Sequence, residues 1–296
     1  METVIRTENL SKRYPRGWGI RDINLEVRRG EIYGFLGPNG AGKTTTVRTI
    51  LDFLHPSSGR ATVFGLDSGR DSVAIRARVG NLPTEFSLDD RLTGEDLLAF
   101  FAKLRGVKSL AYARELAERL GAQLKRPMRR LSRGNKQKIG LVQAMFHRPP
   151  LLILDEPTGG LDPLVQEEFV KLMAEVKAEG RTVFFSSHVL SEVERVCDRV
   201  GIIREGELAA VETVGALVDK QFRRVRLTFA APADPEPFGA VSGVSDLKAD
   251  GNTLSFTLHD DLDRVVKLAA EHTLLDMQLE RPSLEEIFLT YYGGSS

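Results

Sequence analysis

The chain has 296 residues, enough for one large domain or for a main domain with a smaller appendage. Lys plus Arg (41) equals Asp plus Glu (41), so the zero formal net charge excludes a protein that holds nucleic acid by bulk electrostatics. The 42% hydrophobic content is spread so evenly among charges that no run reaches the ~18 apolar residues of a membrane span.

The opening METVIRTENLSKRYPRG carries charges from Glu2 onward and lacks a signal-peptide apolar stretch, so a cytoplasmic location is expected. A lone cysteine, Cys197, forms no internal disulfide and reads as a small buried apolar residue. The histidines (His55, His147, His188, His259, His272) are scattered without metal-ligand spacing.

In chain order, TVIRTENL, INLEV and EIYGFLG read as strands of a β-rich N-terminal section punctuated by Pro15, Gly17 and Gly19. Val47, Ile50, Leu51 and Leu54 then mark one face of a helix that stops before Pro56. Residues 86–146 read as a helical insertion, with apolar stripes Leu97, Leu98, Phe101, Leu104, then Leu116, Leu120, then Ile139, Val142, Phe146. LLILD and RTVFFSS flank a helix bearing Val165, Phe169, Leu172, Met173 and Val176, and this strand–helix–strand order implies a parallel sheet. Beyond Phe222, RVRLTFA and LSFTLH alternate like strands around a loop APADPEPFGA, followed by a helix from Asp261 to about His272 and a closing GGSS read as a frayed tail. The expected division is residues 1–220 and a small α+β domain over 221–296.

Gly37-Pro38-Asn39-Gly40-Ala41-Gly42-Lys43-Thr44 matches G-x-x-x-x-G-K-[ST] between a strand and a helix, with Thr45 next in line. Glycines let backbone N–H groups converge on an anion at the positive helix end, Lys43 adds a point charge for the β- and γ-phosphates, and the Thr44 hydroxyl can ligate Mg²⁺. LLILD ends in Asp155-Glu156. A carboxylate there could cap the next helix. Beside a phosphate loop, Asp155 is placed to hold Mg²⁺ through water and Glu156 to orient or deprotonate the attacking water.

Together with Leu131-Ser132-Arg133-Gly134-Asn135, Gly160-Leu161-Asp162 and Ser187-His188, these motifs resemble, in order, those of the ATP-binding cassette (ABC) ATPases over roughly residues 3–215. The resemblance implies a P-loop α/β core with an N-terminal antiparallel β section and a helical subdomain. It also implies an adenine stacked on Tyr14, a signature helix opened by Ser132 and Gly134, a D-loop at Asp162 and a switch His188 near the γ-phosphate. ATP and Mg²⁺ are the implied cofactors. The implied partners are a second copy, bound head to tail with each ATP between one chain's phosphate loop and the other's signature, and a separate membrane permease. RLSRGNKQKIGLVQA, including Gln137 and Lys138, and the ending RPSLEEIFLTYYG resemble drug-resistance-type bacterial exporters, with residues 221–296 as an accessory domain for dimer contacts, for regulation or for stability alone.

Two departures stand out. Arg133 and Asn135 replace the usual Gly and Gln of the signature, and the loop into the helical insertion offers Thr84 and Glu85 where the family has Gln. The Thr84 hydroxyl is expected to be too short to copy that amide's reach to Mg²⁺ and the attacking water, so either Thr84 or Glu85 contributes through water or that contact is missing, and the loop is left out of the metal set. Residues 121–140 hold seven cations, Lys125, Arg126, Arg129, Arg130, Arg133, Lys136 and Lys138, and no acid. This block reads as a solvated helix face, as a surface for anionic lipid, or as a contact for nucleotide phosphate across the dimer. No nucleic acid is expected, because aromatics are not interleaved. The competing reading, a soluble ABC protein acting on ribosomes or DNA, would carry two cassettes or a long coiled coil, and this chain has one phosphate loop and no sustained heptads.

Overall fold

A computed structural model describes residues 2–15, 17–84, 91–219 and 222–280. The expectations for Glu85, for the start of the helical insertion and for the RPSLEEIFLTYYG ending fall outside these residues. The chain divides into two compact units, Met1–Val214 and Gly215–Ser296.

The first unit opens with β1 (Thr3–Tyr14), β2 (Gly17–Ile23), β3 (Glu26–Arg28) and β4 (Ile32–Leu36), then α1 (Lys43–Ile50), β5 (Ser58–Val63), β6 (Leu66–Asp67), α2 (Ser72–Ala77) and β7 (Val79–Leu82). β2-β1-β5-β6 form an antiparallel sheet, with β3 also pairing β1. INLEV is therefore divided, Ile23 ending β2 and Glu26 starting β3. The break falls where Asp22 takes a left-handed φ of 48° and the Asn24 side chain pairs with Asn9.

Helices α3 (Gly94–Leu104), α4 (Ala111–Arg119) and α5 (Arg133–Met145) build the helical section, with a short 3₁₀ turn at Met128–Arg130 before α5. Thr93 and Asp96 form a reciprocal capping box at the start of α3. Leu97 packs with Met128, Leu131 and Ile139. Leu104, expected on that stripe, is 69% exposed, because α3 runs past these partners.

β8 (Leu151–Asp155), α6 (Pro163–Ala178), β9 (Thr182–Ser187), α7 (Leu190–Val196), β10 (Arg199–Arg204), β11 (Glu207–Thr213) and α8 (Val214–Asp219) follow. The second sheet runs β11-β10-β4-β9-β8-β7, parallel except for the β10–β11 hairpin. β4, β8 and β9 are buried along their whole length, which explains their unbroken apolar runs. Val165, Phe169, Leu172, Met173 and Val176 of α6 are all buried, as their spacing predicts. Cys197 is buried against Gly34, and burial pushes its thiol up, away from reactivity.

The second unit takes α8 from Gly215 onward and contains β12 (Arg223–Phe229), α9 (Glu236–Gly239), β13 (Val244–Asp250), β14 (Thr253–Leu258), α10 (Leu262–Ala270) and β15 (Leu274–Glu280). APADPEPFGA, expected as loop, contains the short α9, started by Pro235 and anchored by the buried Phe238. The order β13-β14-β12-β15 is that of a split β-α-β unit. Val225, Leu227, Phe229, Leu254, Phe256 and Leu258 pack with Val265 and Leu268 of α10.

Candidate nucleotide site

The carboxyl ends of β4, β9 and β8 lie side by side, and the loops bearing Gly37 to Gly42, Ser187 and His188, and Asp155 and Glu156 leave the sheet there. Residues Gly37 to Gly42 join β4 to α1. A Cβ at Gly37 would stand 2.3 Å from the Ile203 carbonyl oxygen, and Gly42 takes φ 109° immediately before Lys43, so both positions require glycine. Pro38, Asn39 and Gly40 form the exposed tip, while Ala41 is buried beneath it. The first N–H groups of α1, at Lys43, Thr44 and Thr45, have no intrahelical acceptor and crown the loop.

Lys43 folds back across this loop. Its Nζ donates to the Gly37 and Pro38 carbonyls (2.6 and 3.1 Å) and lies 3.1 Å from Glu156 Oε1. The other Glu156 oxygen, Oε2, is 2.7 Å from His188 Nδ1. Glu156 sits at φ 52°, a left-handed conformation uncommon for a residue with a side chain. Several hydrogen bonds hold the segment there, among them the Gly159 N–H to the Glu156 carbonyl at 3.2 Å. The Glu156 N–H lies 3.1 Å from the Ser186 hydroxyl, and Gln137 of α5 donates its amide to the carbonyls of Glu156 and Pro157 at 3.0 and 3.1 Å.

Asp155 is 1% exposed and fully engaged. Oδ2 accepts from the hydroxyls of Thr44 (2.7 Å) and Thr84 (2.5 Å), and Oδ1 accepts from Ser186. Thr44 and Thr84 are 3.3 Å apart, so three elements bring an all-oxygen group together. Such a hard donor set fits Mg²⁺. The Thr84 hydroxyl, expected to be too short to stand in for a Gln amide, reaches Asp155 directly.

Tyr14 lies near the start of α1. A Cβ on Gly19 would stand 2.5 Å from the Tyr14 ring and 3.2 Å from the Thr45 methyl, so the ring, a bare backbone and the helix start are adjacent. Tyr14 is 38% exposed, which leaves a ring available for stacking.

Ser132, Gly134 and Asp162 form a second group. Ser132 caps α5, its Oγ accepting from the Asn135 N–H at 3.3 Å. A Cβ at Gly134 would stand 2.3 Å from the Gly160 carbonyl oxygen. Asp162 caps α6, accepting from the Val165 N–H at 3.1 Å and pairing with Lys138 at 3.2 Å. Those contacts hold its carboxyl below the usual range.

Ser186, Gln137 and Thr84 were absent from the expected site set. Ser186 becomes legible once the parallel register places it opposite Asp155. Gln137 is one side of a helix reaching a loop 19 positions away, a proximity that spacing does not carry.

A glycine-walled nest at a helix start, a lysine inside it, a buried Thr–Asp pair and a glutamate–histidine pair constitute the donor set of a P-loop nucleoside triphosphatase. Residues 20–159 match the ABC transporter family model. The bacitracin transport ATP-binding protein of Bacillus licheniformis is 40% identical over 211 residues, 70% of this chain and 69% of that protein. The linearmycin resistance ATP-binding protein of Bacillus subtilis is 31% identical over 308 residues, 98% of each. A solved ATP-binding subunit of an ABC transporter aligns with a TM-score of 0.66 and 32% identity, covering 73% of this chain and 92% of that one. The chain belongs to the ABC transporter family, as one of its ATP-binding, ATP-hydrolysing subunits.

Proposed function

We propose that this chain is the motor of an exporter, working as a homodimer beneath a separate permease. Tyr14 stacks on the adenine, Gly37 through Thr45 cradle the phosphates, and Glu156 orients and deprotonates the attacking water, with His188 beside the γ-phosphate. Thr44 and Asp155 hold Mg²⁺, which when bound neutralises phosphate charge. Ser132, Gly134 and Asp162 serve the nucleotide of the second copy, a reading supported by their grouping apart from the phosphate nest around an exposed helix start. The observation that carries the hydrolytic reading is Glu156 held between Lys43 and His188, adjoining the Asp155–Thr44 pair.

The names of the two Bacillus proteins support a drug-like or hydrophobic cargo. No helix among the described residues is long and apolar enough to cross a membrane, which supports a permease on another chain and attachment at the cytoplasmic face through it. Phe100 and Leu104 stand outward on α3, 60% and 69% exposed, and offer that permease an apolar contact. We read residues 1–220 as the ATPase domain and 221–296 as the accessory domain.

The deciding variant is Glu156→Gln. It is expected to bind ATP, to hydrolyse it at under one hundredth of the wild-type rate and to elute as a dimer with ATP in gel filtration. Wild-type turnover would remove Glu156 from the reaction. Co-expression with the permease should move the chain to the membrane fraction, and membrane association unchanged by permease deletion would refute the attachment.

A further inference from the structure

The second unit buries one face of its sheet beneath α10 and leaves the other lined by polar side chains. That open face forms a cleft of about 480 Å³, within the range of small-molecule sites. Cross-strand register aligns Arg226 of β12 with Ser255 of β14, and Ser255 in turn with Lys248 of β13. Gln278 of β15 lies opposite Arg226 on its other side. Strands are about 4.8 Å apart, so Arg226 and Lys248 arise about 10 Å from each other, a span that two long side chains close onto one oxyanion above the Ser255 hydroxyl.

Charge is sorted across this face. The side chains of Arg226 and Lys248 have neither an ion-pair nor a hydrogen-bond partner among the described residues. The acids Asp246 and Asp250 lie on β13, and Asp276 and Glu280 on β15, along the two outer strands. Each acid is set toward the rim, and Glu280 lies directly opposite Arg224. A flat anionic membrane would meet that acidic rim first, whereas a small anion can enter the centre. Single-stranded nucleic acid is disfavoured as well, because the face presents no exposed aromatic ring among the described residues.

We propose that this cleft binds a small soluble anion, an organic phosphate or carboxylate, with its oxyanion between Arg226 and Lys248 above Ser255. Hydroxyl or ammonium groups on the same molecule would meet Asp246 and Glu280 at the rim. The site belongs to the second unit alone and is distinct from the nucleotide site.

The test is amide NMR of the full chain titrated with inorganic phosphate and with glycerol 3-phosphate, read residue by residue so that phosphate entering the P-loop is seen separately. Saturable shifts are expected at Val225 to Leu227, at Lys248 and at Leu254 to Phe256, with glycerol 3-phosphate the tighter ligand. Arg226→Ala with Lys248→Ala should weaken this binding at least tenfold while the P-loop amides respond as in the wild type. Ser255→Ala should weaken it less, and the unchanged remainder of each spectrum reports the fold. Shifts confined to the P-loop for both probes, or equal affinity in the double variant, would overturn the proposal. Sedimentation of the wild type, and not of the double variant, with phosphatidylglycerol vesicles would also overturn it, by assigning the cations to a membrane.

Discussion

Gln137→Met tests whether one buried amide holds the hydrolytic carboxylate in place. The substitution keeps the volume of a side chain that is 5% exposed and removes its two donated hydrogen bonds, to the carbonyls of Glu156 and Pro157. At about 0.5–1.5 kcal/mol net for each bond, the loss is about 1–3 kcal/mol; the Pro157 carbonyl loses its donor, while the Glu156 carbonyl keeps the Gly159 N–H at 3.2 Å. For a folding unit of roughly 200 residues, each kcal/mol lowers Tm by about 2–4 °C. Differential scanning calorimetry should therefore show a drop of several degrees. Turnover should fall further than stability implies. Glu156 has left-handed φ, and with only the Gly159 N–H left on its carbonyl the segment can relax toward ordinary backbone and carry its carboxylate from Lys43 and His188. At a temperature where the variant is fully folded, kcat is expected to fall at least tenfold with ATP binding unchanged. An unchanged Tm together with an unchanged kcat would show that α5 plays no part in holding Glu156.

Thr84→Ala removes the hydroxyl donated to Asp155 and should raise the Mg²⁺ concentration needed for half-maximal ATPase severalfold, with Thr84→Ser restoring it; equal Mg²⁺ dependence in all three proteins would contradict the role. Gly134→Ala drives a Cβ into the Gly160 carbonyl oxygen and should cost about 1–3 kcal/mol in urea unfolding without nucleotide, whereas an unchanged midpoint would mean that the loop yields freely. Burial, with the Arg105 charge beside it, pulls the His147 ring down to about 4. The unfolded chain, with an ordinary imidazole near 6.5, binds the proton first, so the His147 contribution is complete above about pH 6.5 and is lost as pH falls toward about 4. His147→Phe should flatten the urea midpoint between pH 7 and pH 5, and an unaltered slope would refute the assignment.

The parallel core was legible because its strands are buried on both faces and therefore appear as short unbroken apolar runs, LLILD and TVFFSS. The phosphate loop was legible because its glycines are demanded by local backbone, as at Gly42. Thr84 gave no sign of its contact with Asp155, because a sequence carries no distance. Its hydroxyl is short, as the sequence says, yet β7 pairs directly with β8 and so carries the loop to Asp155. β13 and β15 escaped notice because they are outer strands whose exposed positions mix acids, lysine and leucine, leaving little alternation to read. Leu104 misled in the opposite sense, since helical period identifies a face without saying where the partner ends.

The two departures in the signature fall on different sides of α5, and that difference decides what they cost. Asn135 is 9% exposed and turns inward, its Oδ1 accepting from the Gln123 N–H at 2.9 Å, so it ties the start of α5 to the chain leaving α4. Arg133 points outward, with no acid in the first helical turn to offset it. A cation at a helix N-terminus opposes the macrodipole by about 0.3–1 kcal/mol, a modest local cost that leaves the cap intact. The Ser132 hydroxyl and the bare backbone at Gly134 are changed by neither substitution. The third and fifth signature positions therefore alter how α5 is anchored and how positive its tip is, while the hydroxyl and the backbone N–H groups that face outward from that tip keep their places.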